Sequence, residues 1–314
     1  MRSKTAAPTG GITRRQRFLR DRTLLLMTVP AIVLLLVFNY VPLLGNVVAF
    51  QEYDPYGAGI TGSPFVGTYN FERLFLDNRF WDVLVNTLVI FFTQLVLFFP
   101  IPIALALLLN SVLSDRLRAW VQGIIYLPHF FSWVLVVTVF QQMLGGAGLI
   151  AQQLRQRGIE GFDLMTDPEF FKFLLTAQSV WKDAGWGVIV FLAALAAVNS
   201  ELYEAAAVDG AGRWRRMWHI TLPALRPVIA LLLVLRVGSA LNLDFEQILL
   251  QRDQVGAGAA EVLDTYIWWT GVKTGDFGYA TAAGIFKGVF SVLMVLLANK
   301  VAHLLGEQGV YSKR

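Results

Sequence analysis

Six apolar runs dominate this chain, at 23–50, 83–110, 121–144, 173–198, 224–241 and 279–304. A helix needs about 20 mostly apolar residues to cross a hydrocarbon layer about 30 Å thick, and each run is near or above that length. Six such runs leave a soluble globular fold without a surface. Composition agrees, at 56% hydrophobic and 15% charged residues with a mean hydropathy of +0.56. The expected fold class is an all-α polytopic membrane protein of about six transmembrane helices. The runs at 23–50 and 173–198 exceed what a bilayer requires, so tilt, kinks or protruding ends are expected there.

Charge placement gives the expected sidedness. Putting both termini, the second-to-third loop and the segment 201–223 on one side, with Arg226 and Lys300 at the adjoining ends of their runs, gathers 16 of the 26 Lys+Arg there but six of the 22 Asp+Glu. Among the basic residues are Arg14, Arg15, Arg17, Arg20, Arg116, Arg118, Arg213, Arg215, Arg216 and Arg226. An excess of Lys and Arg marks the cytoplasmic side, so both termini are expected in the cytoplasm. The net charge of +4 then reads as topology and not as nucleic-acid binding. The run after RRQRFLRDR is too long for a signal peptide, contains Pro30 and Pro42, and lacks a small-residue cleavage site. It reads as an uncleaved first span. The organisation expected is a basic tail over 1–22, a membrane domain over 23–305 and a short tail over 306–314. With no cysteine in the sequence, disulfide and thiol chemistry are excluded.

The sequence carries no obvious catalytic set. No glycine-rich loop leads into Gly-Lys-Ser/Thr, so the chain is not expected to hydrolyse ATP. His129, His219 and His303 are isolated, with no zinc motif and no nucleophile elbow. No metal and no cofactor are expected on this chain. An ion-coupled carrier would want acids at mid-depth, where the central runs are mostly apolar.

One loop is unusually ordered in its residue pattern: EAAAVDGAGRWRRMWHITLP, at 204–223. Ala205, Ala206 and Ala207 favour a helix, and Glu201 and Glu204 sit near its start, where the helix dipole favours acids. Gly210 can take the left-handed conformation that ends it. Arg213, Arg215 and Arg216 then alternate with Trp214, Met217 and Trp218, and Pro223 suits the first turn of a new helix. The residues predict a compact helix-turn-helix knob; an amphipathic loop lying on lipid is the alternative.

This stretch resembles the EAA loop of ABC importer permeases. Glu204, Ala205, Ala206, Asp209, Gly210, Ala211, Ile220, Leu222 and Pro223 fall at the positions of that pattern. Further segments resemble the carbohydrate-uptake branch, in its LplB-like and MalF-like subgroup: SPFVGTYNFERLF (63–75), NTLVI (86–90), PIPIALALLLN (100–110), YLPHFFSWV (126–134), WKDAGWGVIVFLAAL (181–195), DTYIWWTG (264–271) and ATAAGIFKG (280–288). The resemblance implies a type I ABC importer permease fold in a bacterial cytoplasmic membrane. It implies a second homologous permease subunit, in a heterodimer or a homodimer, two cytoplasmic ATP-binding subunits that use the ATP, and an extracytoplasmic solute-binding protein. It makes the loop a coupling helix, with Glu201, Glu204, Ala205, Ala206, Asp209, Gly210, Ala211, Arg213 and Pro223 as candidate coupling residues. Arg213, Arg215 and Arg216 could meet the ATPase or lipid headgroups. The two tails match nothing in the family, and Arg236 is unusual for it.

Polar residues at membrane depth are the candidates for a substrate path. Arg236 lies nine residues past Pro227, or about 13 Å along a helix, and Lys287 lies about 12 Å from the outer end of the last run. Two cations would suit an acidic or hydroxyl-rich solute; alternatively each binds carbonyls or snorkels. Trp133, Trp181 and Trp186 could stack on a sugar or form an aromatic belt. Asn242 and Asp244 could bond sugar hydroxyls or cap a helix. WKDAGWG interrupts the fourth run with charges and glycines. Asn70 reads as the cap of a short helix over 71–75. The last outer loop carries Trp268, Trp269 and five acids, Glu246, Asp253, Glu261, Asp264 and Asp276; outer loops of this size could touch an extracytoplasmic partner or cap the bundle with interfacial aromatics. The expected function is import of an oligosaccharide or related carbohydrate, with acidic sugars among the candidates. An importer of a non-sugar solute and an ion-coupled carrier are the alternatives.

Overall fold

The computed structural model describes residues 14–304 and 306, with side chains from 21 onward; the tails expected at 1–22 and 306–314 lie largely outside the described residues. Among the described residues the fold is helical, and its only β contact is an isolated bridge between Gln51 and Phe65.

The first span is one helical rod that changes its winding. Helix α1, Arg14–Leu35, passes through a π turn at Leu36–Tyr40 into 3₁₀ winding at Val41–Phe50. None of its apolar window is buried against the rest of the chain. Its lower part stands clear, and the rod rejoins the bundle at Val41–Phe50, which packs on the last helix. Helix α2, Tyr69–Leu76, follows the first outer loop. Asn70 does not cap it. Thr68 holds the capping position, while Asn70 is buried and its amide donates to Ala49 O at 3.0 Å and Gln51 O at 3.1 Å. It ties α2 to the end of the first span, because a buried amide must find partners.

The second span is α3, Asn78–Leu97, and α4, Pro100–Asn110, joined at Phe98 and Phe99. The third run does not form one helix. It divides into α5, Asp115–Tyr126, a 3₁₀ turn at Leu127–Phe130, and α6, Trp133–Leu144. Pro128 opens the 3₁₀ turn, and the Ser132 hydroxyl accepts from Leu135 N at 3.3 Å to start α6 afresh. The stretch here that is long and apolar enough to cross a membrane is Trp133–Gln156, including α7, Leu149–Gln156.

The fourth run behaves oppositely. Helix α8, Phe171–Ala196, is continuous through WKDAGWG. Its glycines do not break it; they let neighbours approach. A Cβ on Gly185 would sit 2.2 Å from Ile125 O of α5, and one on Gly187 would sit 2.9 Å from the Pro102 ring of α4. The fifth helix begins earlier than Pro223 suggests. Helix α10, Arg213–Arg216, runs through a π turn at Met217–Thr221 into α11, Leu222–Gly238, so the membrane rod is Arg213–Gly238. The π turn absorbs Pro223, whose nitrogen has no hydrogen to give. Helix α9, Ser200–Val208, precedes this rod. Beyond it, α12, Phe245–Val255, and α13, Leu263–Trp268, build an outer cap before the last span, α14, Phe277–Leu304.

Packing falls into three clusters along the bundle. Helix α4 lies along α8, and α11 along α14. Ala106, Leu109, Val188, Phe191, Leu195 and Leu225 form one apolar cluster. Ile90, Phe91, Leu174, Leu175 and Ile248 form a second, beneath α12; Leu74, Phe80, Leu263 and Tyr266 form a third, beneath the cap.

Candidate coupling knob and membrane-depth polar site

The segment 199–223 closes both ends of a short helix with its own residues. The Asn199 side chain accepts from Glu201 N at 3.0 Å at the start of α9. At the other end Gly210 has φ +74°. Ala211 N donates to Ala206 O at 2.8 Å and Gly210 N donates to Ala207 O at 3.1 Å, which is the paired closure of a helix ending in a left-handed glycine. Tyr203 and Thr221 share a hydrogen bond at 3.0 Å, fastening α9 to the π turn that leads into α11. The surface this leaves is open. Glu201, Glu204, Ala205, Asp209 and Gly210 are exposed, Ala206 and Ala211 half-buried. Val208 is 89% exposed, Trp214 74% and Trp218 62%, on a segment whose backbone is fully determined. Arg213 is exposed at the first turn of α10, and Pro223 is half-buried at the start of α11.

At membrane depth, three helices bring polar groups to the 3₁₀ turn that breaks α5 from α6. His129 lies on the 3₁₀ turn, Lys182, Asp183 and Trp186 on α8, Arg236 on α11 and Gln94 on α3. His129 Nδ1 and Asp183 Oδ1 are 2.9 Å apart. The His129 ring stacks on Trp186 at 4.6 Å and 12°. Buried Lys182 donates to His129 O at 2.8 Å, lies 3.8 Å from Asp183 Oδ1, and sits 5.5 Å above the Trp133 ring. Arg236 donates to Gln94 Oε1 at 2.8 Å and lies over Phe98 at 5.8 Å. Asp244 and Asp183 are the carboxylates near enough to act on it. Asp244 is open to solvent on one side, and the Trp133 indole lies against its carboxylate on another.

The structure thus unites Trp133, Trp186, Arg236 and Asp244, and adds Gln94, His129, Lys182 and Asp183. It leaves the other candidates apart from them. Trp181 packs its ring near Phe131 and Phe140. Asn242 is exposed, on the turn between α11 and α12. Lys287 is paired with Asp264 of the cap, so its charge is already answered. Lys182 and Asp183 stood in sequence as an interruption of the fourth run; the signal that could have found them is their coincidence with Trp186 on one helical face, three to four residues on.

The outer loop with five acids is a packed cap. Glu261, 3% exposed in its side chain, binds Arg79 at 2.6 Å and Arg252 at 2.7 Å, and Arg252 lies 4.2 Å over Trp269. Asp276 binds Arg73 at 2.7 Å, and Asp264 holds Lys287. Gln178 of α8 and Gln247 and Gln251 of α12 form a buried amide network, with bonds of 2.9 to 3.0 Å. Glu246 and Asp253 remain exposed. Burial raises the Asp77 carboxyl, but donors outweigh it: Tyr266 and Tyr279 hydroxyls at 2.8 Å each and Arg79 N at 2.9 Å hold it below the ordinary range.

Comparison with known proteins agrees with this architecture. The profile of the family described as binding-protein-dependent transport system inner membrane component matches residues 98–307. The polygalacturonan/rhamnogalacturonan transport system permease protein YteP of Bacillus subtilis (strain 168) is 45% identical over 296 residues, which cover 94% of this chain and 92% of that protein. Protein LplB of the same strain is 40% identical, covering 96% and 95%. Among solved structures, a bacterial alginate ABC transporter in complex with an alginate pentasaccharide-bound periplasmic protein holds a chain that matches with a TM-score of 0.85 at 37% identity, covering 95% of this chain and 99% of that one. The extent of these matches and the six-span helical fold show that the chain is a multi-pass membrane protein belonging to the family of binding-protein-dependent transport system inner membrane components.

Proposed function

We propose that this chain is the permease subunit of an ATP-driven importer of carbohydrate, and that the carbohydrate is an acidic oligosaccharide. The knob at 199–223 is the observation that carries the first part. Its backbone is locked by Asn199, Gly210 and Tyr203, yet the surface it holds in place is exposed and apolar at Val208, Trp214 and Trp218. A rigid element with an unanswered surface suits docking into a groove on a cytoplasmic ATPase subunit. A carrier working alone has no use for it. In this reading Glu201, Glu204, Ala205, Ala206, Asp209, Gly210, Ala211, Arg213 and Pro223 form the coupling element. Both termini lie in the cytoplasm, hydrolysis belongs to two partner ATPases, and the chain itself performs no chemistry. A second permease subunit completes the path, and the unburied first span supports such a partner. An extracytoplasmic binding protein delivers the solute.

The second part rests on the polar site at the α5–α6 break and on the relatives, one named for polygalacturonan and rhamnogalacturonan and another solved with alginate. ATP binding draws the ATPases together, the knobs move with them, and the spans re-aim the path. The protein needs only different contacts in two states.

The test is co-purification and uptake with Gly210→Pro. Proline cannot adopt φ +74°, so α9 loses its closure while the membrane bundle is untouched. We expect the bundle to melt as in the wild type while the ATPase is lost or its hydrolysis uncoupled from uptake. Normal coupling in the variant contradicts the proposal.

A further inference from the structure

The charged groups at the α5–α6 break are not equivalent. Lys182 is committed to His129 O at 2.8 Å with Asp183 at 3.8 Å, and His129 and Asp183 are committed to each other at 2.9 Å. Arg236 is different. Its side-chain partner is a neutral amide, Gln94 Oε1 at 2.8 Å, and among the described residues no carboxylate stands within ion-pair distance of it. A guanidinium carries five N–H donors in a fixed fork that fits a carboxylate with two parallel bonds. One donor is fixed by Gln94, and that glutamine is 2% exposed, so the fork is oriented by a side chain that cannot itself move away.

Asp244 is the counterpart. It stands at the start of α12, where an aspartate normally accepts from a backbone N–H two or three residues on, a bond that contributes about 1 kcal/mol to a helix. Here it makes no such bond. It makes no ion pair among the described residues either, and it is exposed, with the Trp133 indole against it and Arg236 near enough to act on it. A cation without a carboxylate and a carboxylate held by a single indole N–H, that of Trp133, therefore lie near each other without forming an ion pair. They are held apart by the packing of different elements, α3 and α11 for Arg236, and the α12 start for Asp244.

We propose that Arg236 and Asp244 form a subsite for a single uronate unit of the transported chain. Arg236, preset by Gln94, takes the sugar carboxylate, and Asp244 accepts the ring hydroxyls. Gln94 is a positioning residue. Its neutrality matters, because a glutamate there would satisfy Arg236 internally and close the subsite. Trp186, stacked on His129 by one face and 53% exposed, supplies apolar area beside the same group. This subsite rests on the carbohydrate-importer reading above, and it distinguishes acid from ester where that reading does not.

The test is uptake by the complete transporter, reconstituted in proteoliposomes with its partner subunits, of trigalacturonate and of its methyl ester. The wild type is expected to favour the acid. Gln94→Leu raises the half-saturating concentration for the acid about tenfold with little change in maximal rate, the cost of one lost bond to a charged group, and leaves uptake of the ester unchanged. Gln94→Glu, which preserves the packing, abolishes the preference for the acid. Asp244→Asn weakens uptake of both, since both carry the hydroxyls. If Arg236→Gln still transports and still favours the acid as strongly as the wild type, the subsite is overturned. If Arg236→Gln loses the preference but neither Gln94 variant shifts it, the positioning role of Gln94 is overturned. If the wild type couples ATP hydrolysis but takes up neither sugar, the carbohydrate reading fails, and the subsite with it.

Discussion

The cap before the last span and the knob at 199–223 are both short, polar, helical insertions between apolar spans, and they are finished in opposite ways. In the cap, Glu261 is closed between Arg79 and Arg252, Asp264 is closed by Lys287, Asp276 by Arg73, and three glutamines satisfy one another. In the knob the backbone is equally determined, by Asn199 and by the Gly210 closure, yet the side chains are left open: Val208, Trp214 and Trp218 face outward, and no carboxylate among the described residues pairs with Arg213, Arg215 or Arg216. A segment that answers its own polar groups is part of the fold. One that spends its residues on shape and leaves its surface unanswered is built for another molecule. The five acids of the cap invited the same reading as the knob in sequence; Glu261, Asp264 and Asp276 answer cations on other elements, and Asp253 pairs with its neighbour Arg252.

The sharpest way to break this contrast is to remove a charge from the cap. Glu261→Ala removes the buried carboxylate shared by Arg79 and Arg252 and leaves Arg252, whose side chain is 6% exposed, with the exposed Asp253 at 3.1 Å as its remaining carboxylate, at a cost of about 3 kcal/mol. The detergent-solubilised protein should melt markedly lower, and a melting temperature equal to wild type would show that the cap is not held by this pair. In the knob, Asn199→Ala removes one capping bond and should cost about 1 kcal/mol, confined to α9. Hydrogen exchange should quicken at 200–204 while the membrane spans stay protected. The smallest effect is a pH dependence in the cap. The Asp77 carboxyl is held below its ordinary pKa of about 3.9, so its contribution is complete above that value and is lost as pH falls through the lower, folded value. Thermal stability should therefore decline on acidification below about pH 4, and Asp77→Asn should flatten that slope.

The fold was legible where local signals suffice. Six apolar runs mark the spans, and Gly210 marks the end of α9, because hydrophobic length and a left-handed glycine are properties of short stretches. What was not legible depends on distant partners. The α5–α6 break hides in a continuous apolar run, with Pro128 and Ser132 as its faint marks. Gly185 and Gly187 read as helix breakers until Ile125 and Pro102 stand against them. Asn70 reads as a cap until Ala49 and Gln51 claim its amide. The pairs that define the cap and the polar site, Arg79 with Glu261 and Arg236 with Gln94, are 182 and 142 residues apart. No local pattern announces them. Arg236 could be singled out at membrane depth, but not the neutral partner that leaves its charge available.

The claim that the knob is an interface and the cap is not can be measured directly, because the chain has no cysteine of its own. Val208→Cys, 89% exposed on the knob, and Val272→Cys, 61% exposed in the outer cap, each introduce one labelling site. Maleimide labelling of both is followed with and without the ATPase subunits in detergent. The ATPase is expected to protect Val208→Cys and to leave Val272→Cys unchanged. Equal labelling of Val208→Cys with and without an ATPase that remains bound would contradict it.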